Sequence, residues 1–161
     1  MIAIEATPPR PLPVPTAQSQ PYWDGAARGE LLIQRCTACG ALRHYPRLLC
    51  SRCHAGTFDW QRASGHGTVH SWMVAHHAFH PAFREALPYT LVTVDLAEGV
   101  RALGLWRGGS ALRIGAPVRA VFEPREDGAD LAFHEHPQAA AKSPPLPPEG
   151  VKELGSGPSF P

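Results

Sequence analysis

The 161 residues are enough for one domain, or for one small domain with an appended module, and a chain of that size can fold without disulfides. With 15 basic and 14 acidic residues the formal charge is +1, which excludes a global pull toward nucleic acid or an anionic membrane. No apolar run approaches the ~20 residues that span a bilayer. The opening MIAIEATPPRPLPVP lacks the charged start and apolar stretch of a secretory signal, so the expected compartment is the cytoplasm. In that reducing setting clustered cysteines are more often metal ligands than disulfides.

Six of the 18 prolines fall in residues 1–21 and seven in 137–161. Both ends are poor in large apolar residues and bury too little surface to offset their ordering entropy. The expected organisation is a flexible Pro-rich segment over 1–20, a helix with a zinc ribbon over 21–61, a β domain over 62–137 and a flexible Pro-rich tail over 138–161. A docked extended tail is the alternative to plain disorder.

Pro21 opens the first element. Tyr22, Trp23, Ala26 and Ala27 recur at helical spacing and Gly29 is placed to end it, which predicts a helix over 21–28. Leu31 to Gln34 then forms a short apolar run into Cys36, as a ribbon strand would.

Cys36-Thr37-Ala38-Cys39 and Cys50-Ser51-Arg52-Cys53 are two C-x2-C pairs separated by ten residues, and they use every cysteine in the chain. Each pair predicts a tight knuckle, and Gly40 supplies the permissive backbone such a turn needs. Four thiolates at ~2.3 Å complete a tetrahedral Zn²⁺ shell. With no open position the ion folds the segment rather than activating water or substrate. Iron in the same shell and a redox dithiol are the alternatives. The redox reading lacks the thioredoxin-like βαβ unit it requires.

After Trp60 the pattern changes to short strands with turn punctuation: 67–76, 89–96, 100–106, 117–123 and 131–134. Asp127-Gly128 reads as the last hairpin turn. Five short strands with a connector between the third and fourth predict a mainly β fold closed as a small OB-type barrel, with a flat sandwich as the alternative. The loop His76-His77-Ala78-Phe79-His80 offers histidines for a second metal site or for a partner's active site. Pro81 and the lack of a nearby carboxylate weigh against metal, leaving ordinary loop residues as the third reading. Tyr22 and Trp23 are either interface anchors or the helix's packing face. Trp72 and Trp106 are expected in the core or on the barrel face.

Several of these residues together carry a resemblance. They are Tyr22-Trp23, Gly29-Glu30-Leu31, Gln34-Arg35-Cys36-x2-Cys39-Gly40, Pro46, Cys50-x2-Cys53, Gly67-x-Val69-x-Ser71, Pro88-Tyr89 and Arg113-Ile114-Gly115-x2-Val118. Over about residues 21–136 the chain resembles domain-of-unknown-function family 35, whose fold is an N-terminal helix, a rubredoxin-like zinc ribbon and an OB-fold. The resemblance implies a small acyl-CoA-associated subunit in lipid or steroid metabolism. Its catalytic partner would be a thiolase-fold enzyme (thiolase, thiolase-like aldolase or acyltransferase) or a hotdog-fold enoyl-CoA hydratase. Such a subunit helps shape the CoA channel while the partner holds the catalytic residues. The end reading Ala132-Phe133-His134-Glu135-His136-Pro137 and the histidine loop depart from the family pattern.

The ribbon holds Arg35, Arg43, Arg47, Arg52 and Arg62 against Asp59 alone. Arginine forks match phosphate geometry, so Arg43, Arg47 and Arg52 are candidate contacts to CoA phosphates, with a solvated surface or partner rim as the alternative. An independent enzyme lacks support: no cysteine is left as nucleophile, and no G-x-S-x-G or phosphate loop occurs. A nucleic-acid module would want basic and aromatic residues on the second and third barrel strands, which read YTLVTVDL and VRALGLW.

Overall fold

A computed structural model describes residues 9–11, 13–125 and 128–136. Residues 1–8 and 12 of the expected 1–20 segment, the whole of the expected tail over 138–161 and Asp127 of the expected hairpin turn lie outside the described residues.

Helix α1 spans Gln20–Ala27, with Pro21 in its first turn. The missing N–H of Pro21 costs nothing there. Arg28 and then Gly29, at φ +74°, end the helix as the sequence predicts. Tyr22, Gly25 and Ala26 face inward. Three strands follow: β1 Leu32–Cys36, β2 Leu42–Arg43 and β3 Phe58–Arg62. They form an antiparallel sheet in the order β2-β1-β3. The third of these strands was not predicted, because Phe58-Asp59-Trp60-Gln61-Arg62 shows no clean apolar alternation.

The remaining strands are β4 His66–Ala75, β5 Tyr89–Leu96, β6 Arg101–Trp106, β7 Pro117–Arg125 and β8 Gly128–Glu135. They close in the order β4-β5-β6-β8-β7, with β7 returning to β4. Closure removes most of the sheet edge, and the five-strand barrel is of the OB type. All pairings are antiparallel except β6 with β8. Close approach of β4 to β5 requires Gly67. A Cβ there would lie 2.5 Å from Val94 Cγ1 and 2.6 Å from the Asp95 carbonyl oxygen. Between β4 and β5 a 3₁₀ helix, Pro81–Ala86, replaces the expected open loop.

Ribbon and barrel share one core. Leu31 and Ile33 from the ribbon side cluster with Val69, Val92, Val94, Val118 and Phe133 from the barrel. Fully burying a side chain such as Ile33 contributes about 1.5–3 kcal/mol. Ala63 N–H donates to the Leu31 carbonyl at 2.8 Å, extending the β1–β3 ladder by one residue, and a polar contact reinforces the junction with the barrel, where Leu103 N–H donates to the Tyr45 hydroxyl at 3.0 Å. Tyr22 is buried and Trp23 packs against the same core, which answers the open question of their role in favour of packing. Trp106 also packs on the core, whereas Trp72 is 41% exposed.

Candidate metal centre and the surface beside it

The two cysteine pairs fold into matching knuckles. In the first, Gly40 N–H donates to the Cys36 carbonyl at 2.9 Å, and Cys36 N–H to the Ala41 carbonyl at 2.9 Å. In the second, His54 N–H donates to the Cys50 carbonyl at 2.9 Å, and Cys50 N–H to the Ala55 carbonyl at 3.0 Å. The residue after each pair takes the left-handed conformation, Gly40 at φ +70° and His54 at φ +59°. A histidine therefore stands where glycine is the easier choice.

This places all four sulfurs within 4.8 Å of one another, with Cys36–Cys53 and Cys39–Cys50 each at 3.6 Å. Tetrahedral thiolates about 2.3 Å from a zinc ion would be spaced about 3.8 Å apart, so the geometry fits. The electrostatics agree. Backbone N–H groups, that of Cys39 foremost, lower the Cys36 thiol, and those of Cys53 and Arg52 bring Cys50 down to about 6. Cys53 is drawn down by the Ala55 N–H, but Cys39, desolvation and the other two sulfurs push it up to about 12. Four crowded sulfurs cannot all ionise without a cation among them. Cys36, Cys39, Cys50 and Cys53 would hold the metal as a closed, structural shell.

Behind the knuckles lies a polar pin that the sequence reading missed. Gln34 on β1 is fully buried, and its Oε1 accepts from Arg43 Nε at 2.6 Å and from Arg47 N–H at 2.9 Å. Arg43 is 8% exposed, with its guanidinium 5.1 Å from the Phe58 ring centroid. The pairing of Gln34 with Arg43 across β1 and β2 aligns the two residues, a register that spacing alone does not reveal. Arg43 is thus withdrawn from solvent, unlike the other two arginines proposed to meet phosphate. Arg47 and Arg52 are exposed and, among the described residues, form no ion pair. Arg62 is 3.4 Å from Glu30.

Next to the ribbon, the outer face of β5 and β6 forms an apolar groove of about 530 Å³. Tyr89, Leu91, Leu103 and Leu105 floor it, and Tyr22, Trp23, Tyr45, Pro46 and Phe83 wall it. Its far end carries three arginines against two carboxylates. Arg10 sits 4.8 Å from the Phe83 ring centroid and 3.8 Å from Asp130, Arg125 is 3.4 Å from Asp130, and Arg107 bonds Glu123 at 2.7 and 2.9 Å.

The histidine loop forms no second metal site among the described residues, where the cysteine group is the one metal-competent cluster. His80 Nδ1 instead accepts from Ala82 N–H at 3.2 Å and caps the 3₁₀ helix, while His77 packs edge-on to Phe79. No described helix is long and apolar enough to cross a membrane.

Comparison with known proteins fits this geometry. Residues 23–59 match the model for the ChsH2 rubredoxin-like zinc ribbon domain, and residues 60–123 match the ChsH2 C-terminal OB-fold domain. A DUF35 domain-containing scaffold protein of Methanocaldococcus jannaschii is 34% identical over 104 residues, which cover 62% of this chain and 73% of that protein. The chain belongs to the DUF35 family. This DUF35 protein is also similar to a Thermomonospora curvata chain named a probable enoyl-CoA hydratase alpha subunit, with 41% identity over 113 residues. That match covers 68% of this chain but only 34% of the relative, so the DUF35 chain spans about a third of that relative's length. Among solved structures, the Ltp2-ChsH2(DUF35) aldolase is similar to this DUF35 chain at 34% identity and a TM-score of 0.69, over 77% of this chain and 98% of that one.

Proposed function

We propose that this chain is a non-catalytic, zinc-holding subunit that docks on a thiolase-fold enzyme (a thiolase, a thiolase-like aldolase or an acyltransferase) and forms part of its CoA and substrate channel. The observation that carries this reading is the likeness, over nearly the whole of that chain, to the DUF35 component of an aldolase assembly. The chemistry of this chain supports it. Every cysteine belongs to the metal cluster, which leaves no thiol nucleophile. The apolar groove suits a channel wall, since ligand sites are concave, mostly apolar and edged by a few polar groups. Arg47 directly follows Pro46 at the groove's lip and is free to meet a CoA phosphate, with Arg52 as a second contact. Arg43 has a structural part, because its Nε is bonded to Gln34 and its guanidinium is buried beside Phe58.

A hydratase partner is the second reading, favoured by the relative named a hydratase alpha subunit. Nucleic acid is disfavoured: the OB face that would bind it is apolar and partly covered by α1 and Tyr45, and the net charge is +1. The test is co-expression with the thiolase-fold and hydratase proteins encoded nearest to the chain. A stable complex with the thiolase-fold protein, active on acyl-CoA only when both chains are present, is expected. Turnover by the purified chain alone, or a complex with the hydratase only, would reject the thiolase reading.

A further inference from the structure

Between Arg62 and Arg84 the sequence contains no Asp, Glu, Lys or Arg. Strand β4 lies inside this uncharged span and is paired unequally. Over Gly67–Thr68 it has β5 on one side and β7 on the other. Hydrogen bonds from Val69 N–H to Ala116 and from Gly115 N–H to Val69 carry the seam one residue further. Beyond the register shift between Val69 and Ser71, β5 alone accompanies the strand. Among the described residues, no backbone group meets the opposite edge of Ser71–Ala75.

That open edge is apolar. Trp72, Met73 and Val74 are 41%, 55% and 44% exposed. Ile114, beside the end of the seam, is 76% exposed, and Phe79, in the loop that follows β4, is 86% exposed. Sheet edges left open to solvent are ordinarily blunted by lysine, proline, an inward charge or a bulge. Ser71–Ala75 has no charge and no proline, and the register shift at its start is its one such device. An uncharged strip of backbone donors and acceptors flanked by large apolar side chains is a template for strand addition.

We propose that the Ser71–Ala75 edge receives an extended, uncharged apolar segment of the catalytic partner subunit, anchored by Trp72, Met73 and Val74. This rests on the heteromeric reading above and adds where the partner sits. A second copy of this chain is the weaker occupant. Two five-residue edges facing each other fall far short of the ~800 Å² per partner of a stable association. A larger subunit can cover Ile114 and Phe79 as well.

The experiment uses the full chain and the thiolase-fold protein encoded nearest to it. Met73→Lys and Trp72→Lys place a charge on an already exposed position. Each is first checked for one zinc per chain and an unchanged melting temperature. Binding to the partner is expected to weaken at least tenfold in each variant. In the wild-type complex, amide hydrogen exchange over Ser71–Ala75 is expected to slow at least tenfold. If the wild type binds and both variants bind within threefold of it, the edge proposal fails while the proposed function stands. If the wild type does not bind the partner at all, both fall. A dimer of the free chain that Met73→Lys dissociates would hand the edge to a second copy and overturn the proposal. So would exchange over Ser71–Ala75 that is slow in the free chain and quickens when residues 137–161 are removed.

Discussion

At the scale of single residues, the ribbon separates what spacing encodes from what register encodes. The four cysteines are legible because a C-x2-C pair can only converge its sulfurs in a knuckle, and two such pairs complete a shell. Gln34 and Arg43 are not legible, because both residue types normally lie at the surface and only the β1–β2 alignment buries them together. His44 belongs to the same hidden class. It is packed against the rings of Tyr22 and Tyr45, both its ring nitrogens lack hydrogen-bond partners, and burial lowers its pKa to about 4. The folded chain keeps this imidazole neutral while the unfolded chain protonates it below about 6.5. Stability from His44 is therefore complete above the unfolded value and is lost as pH falls from about 6.5 toward 4. Between pH 7 and pH 5 the loss is about 2 kcal/mol. Chemical denaturation of the zinc-loaded protein at those two pH values checks this. The His44→Phe variant is expected to lose about 2 kcal/mol less than the wild type over the same interval, and an equal loss would refute the assignment.

Elements were readable where alternation and punctuation agree. The strand at 89–96 appears with its expected boundaries, and the first, third and fourth barrel strands shift by no more than two residues at either end. The last barrel strand begins at Gly128 rather than 131, because pairing with β7 recruits Gly128, Ala129 and Asp130 into the ladder. Such long-range pairing overrides weak local preference. The 3₁₀ turn at Pro81–Ala86 was missed because its cap is a histidine, a residue type rarely counted among capping signals. Gly67 shows the converse. It reads as a strand glycine within the Gly67-x-Val69-x-Ser71 motif, and its missing side chain is what lets β4 close on β5. Gly67→Ala should cost about 1–3 kcal/mol through overpacking. It should appear as a lower urea midpoint at unchanged slope. An unaltered midpoint would show that the strands can separate there at no cost.

For the whole molecule, the helix–ribbon–barrel order was readable, while the asymmetry of the barrel was not. Five strand patterns predict closure, but they do not reveal that β4 outruns β7 and leaves Ser71–Ala75 open. The groove on β5 and β6 was equally hidden, since its walls come from the helix, the ribbon and the loop before Tyr89. One consequence of the shared core and of the Tyr45–Leu103 bond concerns mass action. Tyr45 lies between the two knuckles that converge on the metal, while Leu103 belongs to a barrel strand that supplies no metal ligand. A ligand that binds only the folded state stabilises everything that unfolds with it. The barrel's unfolding free energy, followed by Trp106 fluorescence in a variant carrying Trp23→Phe, Trp60→Phe and Trp72→Phe, should therefore rise by about 1.4 kcal/mol for each tenfold increase in free zinc above the dissociation constant. Barrel unfolding indifferent to zinc would mean that ribbon and barrel melt separately. Through Tyr45, Leu31 and Ile33, free-zinc concentration sets the persistence of a β-barrel with no metal ligand of its own.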